Sequence, residues 1–115
     1  MSMKIVRETL ALSELRRMAA DTFGNMVKAV VDIDRELIAA DAELHSDLEA
    51  ALLEGGSKQK NLWGINLYPD MPGEEFVEFD SMINLRPSQN NKGRGVEDRG
   101  TRERIIEIVS KRIKR

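Results

Sequence analysis

A chain of 115 residues and 13.0 kDa, with 41% hydrophobic and 33% charged side chains, has room for one globular domain. It contains no cysteine, which excludes disulfide frameworks, thiolate metal sites and cysteine nucleophiles, and fits a reducing cytoplasm. Net charge is only −2 but is unevenly placed: residues 1–91 carry 9 basic and 16 acidic side chains, and residues 92–115 carry 9 basic and 4 acidic ones.

A basic end can dock on phosphates, on a partner copy or on the acidic remainder of its own fold. The last is the expectation, because nucleic-acid binders are as a rule basic over the whole domain. Nucleic acid is therefore not an expected partner. The amino-terminal stretch is charged from Lys4 onward, without a signal-peptide apolar run. No segment approaches the roughly 20 apolar residues of a membrane span. These features predict a soluble cytoplasmic protein.

In chain order, Met3 to Arg7 is short and β-prone, an edge strand. "LALSELRRMAADTFGN" predicts a helix with Ser13 as N-cap and a stripe of Leu12, Leu15, Met18, Ala19 and Phe23. Gly24 supplies its left-handed stop. Over residues 25–54 two periods compete. A single helix there would run about 45 Å, long for so small a domain. The β-branched run at Val30, Val31 and Ile33 instead supports a strand at 27–33. A tight connection at Asp34 and Arg35 leads to a second strand at 36–41. A helix over 43–54 then ends at Gly55 and Gly56.

"LWGINLY" alternates, with Trp63, Ile65 and Leu67 on one face. "PDMPGEE" is turn chemistry. "FVEFDSMINLR" alternates again, which predicts an eleven-residue strand over 76–86. Pairing Leu67 with Val77 and Ile65 with Phe79 in a hairpin places the apolar residues together. It also opposes Asn66 to Glu78 and Gly64 to Asp80 on a polar reverse face, with Asn84 and Arg86 further along it. The phrase Ile-Asn-Leu-x-Pro occurs twice, at 65–69 and 83–87, and reads each time as a strand end closed by proline. Residues 87–97 form a polar loop. Residues 98–115 form a basic amphipathic helix, capped by Asp98 or Thr101 and buried through Ile105, Ile108, Val109 and Ile113.

The spans "LHSDLE", "LLEGGSKQ", "LWGINLYP" and "INLRPSQ" resemble a family of small prokaryotic proteins classed only as a domain of unknown function, over nearly the whole chain. The family form of the first span is Leu-His-Ala-Asp-Ala-Glu, from which Ser46 and Leu48 depart. The resemblance implies a free-standing cytoplasmic domain and brings no activity, cofactor or catalytic residue.

Candidate chemistry is sparse. His45, the sole histidine, shares a helical face with Asp41 and Glu49 and neighbours Asp47, so His45 and Asp47 are the acid/base candidates. The spacing matches no metal signature, and no metal or cofactor is specified. Ligand-binding candidates are Asn66, Asn84 and Arg86 on the polar sheet face, Gln89 and Asn90 in the loop, and Trp63 as a stacking surface. Against each stands a plainer role: a solvated sheet face, a connector, a core aromatic. The loop Arg86–Gly95 could also cradle an anion on glycine-permitted backbone N–H groups. The sequence thus predicts one α+β domain, an antiparallel sheet with about three helices packed largely on one face. It is expected to be a non-catalytic binding or interaction protein, self-associating and open to a small-molecule ligand. A small metal- or acid/base-dependent enzyme built on His45 and the Asn66/Asn84/Arg86 patch is the alternative. A nucleic-acid regulator acting through the basic tail is a weaker one.

Overall fold

The computed structural model describes residues 3–115. In chain order these form strand β1 (Lys4–Val6), strand β2 (Leu10–Ala11), helix α1 (Leu12–Asp21), strand β3 (Val27–Asp32), strand β4 (Leu37–Ala40) and helix α2 (His45–Glu54). Strand β5 (Leu62–Leu67), strand β6 (Val77–Glu78), helix α3 (Arg99–Arg112) and strand β7 (Ile113–Lys114) follow. Single 3-10 turns occupy Gln59–Asn61, Gly73–Phe76, Met82–Asn84 and Pro87–Gln89. One antiparallel sheet has the order β1-β4-β3-β5-β6, and β2 pairs with β7 in a small parallel sheet. The fold is α+β, and β1 is an edge strand.

The strand reading of 27–41 holds. A turn joins β3 to β4, because the buried Asp32 carboxylate accepts the backbone N–H groups of Asp34 at 2.9 Å and Arg35 at 3.0 Å. Glu36 takes a left-handed φ of 56° to close it. Side chains alternate across the sheet into two cores. Val27, Ala29, Val31, Ile38, Trp63, Ile65 and Leu67 pack under α1 and α3, through Leu15, Met18, Ile105 and Ile108. Val30, Leu37, Ala39 and Leu62 pack under α2, through Leu48 and Leu52. Two helices therefore share one face as expected, and the third covers the reverse. The physical reason is that Val30, Leu37, Ala39 and Leu62 make the reverse face apolar too, so neither face can be left wet.

The eleven-residue strand over 76–86 is corrected. Only Val77 and Glu78 pair, with Leu67 and Asn66, which is the expected register. Beyond them the chain crosses over the sheet. Ser81 sits on Gly64 so closely that a Cβ there would lie 2.5 Å from the Ser81 Cβ. The Ser81 hydroxyl accepts the Ile83 N–H and turns the chain into the 3-10 turn. The two Ile-Asn-Leu phrases consequently differ in structure. In the first, all three residues are buried in β5. In the second, Asn84 is fully buried while Leu85 is exposed.

Smaller departures have simple causes. Helix α1 begins before Ser13, which caps nothing, because β2 pairs with β7 and leads directly into Leu12. Gly24 does take a left-handed φ of 95°, and its N–H closes on the Ala19 carbonyl. Phe23 is exposed rather than part of the buried stripe. Asp98 caps α3, accepting the Thr101 N–H at 2.8 Å. That helix ends at Arg112, not Arg115, since Ile113 enters the small sheet.

The basic end docks on its own fold. Glu36 accepts Lys111 at 2.7 Å and Arg104 at 2.8 Å, and its carbonyl accepts the Arg112 Nε–H at 2.9 Å. These bonds, led by Lys111 and then Arg104, pull the Glu36 carboxyl down to about 2.

Candidate functional site

Strand β5 is the key to where the polar residues go. Among the described residues no strand continues along its outer edge after Glu78, so its backbone groups need other partners. Side chains supply them. Asn84 accepts the Gly64 N–H at 2.8 Å and donates to the Gly64 carbonyl at 3.0 Å, standing in for a missing strand residue. Its second donor contact is the Arg94 carbonyl at 2.9 Å. Arg86 donates to the carbonyls of Leu62, Gln59 and Ile83. Its guanidinium lies 4.5 Å from the Trp63 ring centroid. Burial lowers the Arg86 pKa, opposed by the nearby Glu49 carboxylate.

The expected polar sheet face is therefore not an open surface. Asn66, Asn84 and Arg86 are all buried. Asn66 donates to Glu78 at 2.8 Å and to the Asp80 carbonyl at 3.3 Å. The cause is again the double-sided sheet, which offers no solvated side.

His45 and Asp47 do not form an acid/base pair. His45 is buried and hydrogen-bonds through Nε2 to the Ile65 carbonyl at 2.8 Å, while Asp47 is exposed. Burial pushes the imidazole pKa below its ordinary value, against the weaker effect of that bond. Asp41 precedes the helix in a left-handed conformation, so the expected four-residue spacing does not bring it onto the His45 face. Among the described residues, no group of three or more histidine, aspartate or glutamate side chains is arranged to hold a metal ion.

The loop after Arg86 is ordered by a residue the sequence reading missed. Buried Asn91 donates to the carbonyls of Asn84 at 2.7 Å and Gly95 at 2.8 Å, and accepts the Glu97 N–H at 2.8 Å. In the sequence it is one of two adjacent asparagines, and nothing local separates it from Asn90. The structure separates them: Asn90 takes the left-handed φ of 61° and faces solvent, which turns Asn91 inward. The anion cradle foreseen in this loop exists but is filled from within. The Glu97 carboxylate accepts the N–H groups of Lys92 and Gly93.

Three of the expected ligand-binding residues do meet. Trp63, Gln89 and Asn90 line a cleft of about 440 Å³ between the Pro87–Gln89 turn and the start of α3. Ile33 and Trp63 give it apolar surface, Lys60 stands on the loop side, and Glu97, Asp98 and Thr101 stand on the helix side. Gln89 is engaged with the Lys60 carbonyl at 3.2 Å. The Trp63 Nε1–H is buried without an acceptor among the described residues. Arg86 lies behind this cleft as the support of the Trp63 ring, and Asn66, Asn84 and His45 are not among its lining.

A family model described as "Protein of unknown function (DUF5674)" matches residues 4–112. The chain belongs to this family. The match spans every element from β1 to α3, so the β5 scaffold and the cleft both fall within the family's domain. No curated protein matches the chain, and no solved structure does. Among the described residues, no helix is long and apolar enough to cross a membrane.

Proposed function

We propose that the protein is a non-catalytic binding module whose ligand, a small polar molecule, sits in the Trp63 cleft. The observation that carries this reading is the convergence of the only tryptophan with Lys60 and Asn90. Neither of those side chains has a hydrogen-bond or ion-pair partner among the described residues. The volume of about 440 Å³ falls within the range of small-molecule sites. Binding rather than catalysis is supported by His45, which is buried, turned onto the Ile65 carbonyl and away from the cleft.

A thermal-shift screen against small polar molecules, divalent metals, nucleotides and anions tests it. A ligand of the native state raises the melting temperature. Because Trp63 is the sole tryptophan, the same ligand must also change the intrinsic emission. Stabilising ligands that leave that emission unmoved would overturn the proposal.

Self-association belongs to the same reading. Leu44, Met82 and Leu85 are exposed apolar side chains around α2 and the Met82–Asn84 turn. Light scattering checks it, and a clean 13.0 kDa species refutes it. Nucleic acid is not a partner in this reading, since Arg94, Arg104 and Lys111 are already paired to acidic residues. The setting we infer is a prokaryotic cytoplasm, which cell fractionation checks.

A further inference from the structure

The charged groups around the cleft point to one class of ligand: we propose that it is a small zwitterion of the amino-acid type, with one carboxylate and one ammonium group. This rests on the binding reading above. The cleft is bipolar. On the loop side, the Lys60 ammonium has no carboxylate partner among the described residues, and the Asn90 amide beside it is unengaged. On the α3 side, Glu97 and Asp98 each use a single carboxylate oxygen. Glu97 Oε2 accepts Lys92 and Gly93, and Asp98 Oδ2 accepts Thr101. Their other oxygens, Glu97 Oε1 and Asp98 Oδ1, are without a hydrogen-bond donor among the described residues. Thr101 holds the Asp98 carboxyl below its ordinary value, so it stays ionised at neutral pH.

A simple anion entering here would meet Lys60 but also face two carboxylates. A simple cation would leave the ammonium of Lys60 opposed. A ligand bearing both signs satisfies both walls, and its side chain has Ile33 and Trp63 to rest on. No group on the reverse face of the sheet takes part.

Titration of Trp63 fluorescence with the twenty free amino acids, each alone, tests the class. The best binder is then compared with its N-acetyl derivative, an anion, and its carboxamide, a cation. The expected result is a saturable change with the free amino acid, weakened at least about tenfold by either blocking group. Lys60→Gln weakens it similarly. So does Asp98→Asn, which keeps an oxygen to cap α3 and so lowers the unliganded melting temperature only slightly. If no amino acid moves Trp63, or if a blocked derivative binds as well as the parent, the class is wrong. If some other small molecule from the thermal-shift screen still moves Trp63, the cleft stands and only the ligand class falls. If nothing moves it, both fall.

Discussion

Replacing Asn84 by alanine removes a side chain that substitutes for a strand. Two buried backbone groups lose their partner together, the N–H and carbonyl of Gly64, while the Arg94 carbonyl keeps the Ser81 N–H at 3.0 Å. Each orphaned group costs about 1–3 kcal/mol. A water entering the vacated space would recover part of that, so the expected loss is about 2–5 kcal/mol. A domain of this size is stable by about 0.05–0.15 kcal/mol per residue, so the variant approaches the unfolding threshold. Urea unfolding followed by Trp63 emission measures the loss, as a midpoint lower by about 1 M or more at an ordinary slope. Asn84→Asp should be at least as damaging, because it turns an acceptor oxygen towards the two carbonyls. Asn66→Ala is the control from the other Ile-Asn-Leu phrase. It removes one bond to Glu78 and a long one to Asp80, while its own Oδ1 is unpaired. It should cost clearly less. A loss below about 1 kcal/mol for Asn84→Ala, or equal losses for the two asparagines, would refute the strand-substitute account.

Gly64→Ala should destabilise by about 1–3 kcal/mol or more, because the added carbon meets the Ser81 Cβ at 2.5 Å and its Oγ at 2.6 Å. In a double-mutant cycle, Ser81→Gly should recover part of that loss, and strict additivity would contradict the contact. His45 has a folded pKa below its ordinary 6.5, so protons favour the unfolded chain. Its contribution is fully present above pH 6.5 and is lost as pH falls from there towards the folded value. The urea midpoint should therefore drop between about pH 7.5 and about pH 5.5 in the wild type, and less so in His45→Gln. Glu36 acts in a lower window: with its carboxyl moved from 4.5 to about 2, its contribution is present above pH 4.5 and lost as pH falls towards 2. Glu36→Gln should raise hydrogen exchange over the last turn of α3, and unchanged protection there would show that the clasp is idle.

Local chemistry made much of the fold legible. The turn after Asp32, the left-handed stop at Gly24, the Asp98 cap and the 27–41 strands each depend on residues close in sequence, and these expectations hold. The hairpin register was legible for two pairs, Leu67 with Val77 and Asn66 with Glu78, and then failed. The alternation of residues 79–86 continues past the point where Ser81 turns the chain, because periodicity does not register a hydroxyl accepting the N–H two residues on. The polar face was misread for a related reason. Buried asparagine and arginine look like exposed ones in a pattern, and only the missing neighbour of β5 shows why they are inside. Trp63, Gln89 and Asn90 were named from the sequence for separate reasons. The meeting of Trp63 with Gln89, Asn90 and Asp98 spans 26–35 positions, which no local pattern encodes.

The polar residues form an internal scaffold along β5, and the proposed ligand-facing cleft at Trp63 is separate from it. Chemical-shift mapping of the labelled protein during titration with the best-binding small molecule tests that division most directly. The expected shifts are confined to Lys60, the Trp63 indole, Asn90 and Asp98 to Thr101, with the Asn66 and Asn84 side-chain amides unmoved. Shifts centred on Asn66, Asn84 and His45, with Trp63 silent, would contradict it.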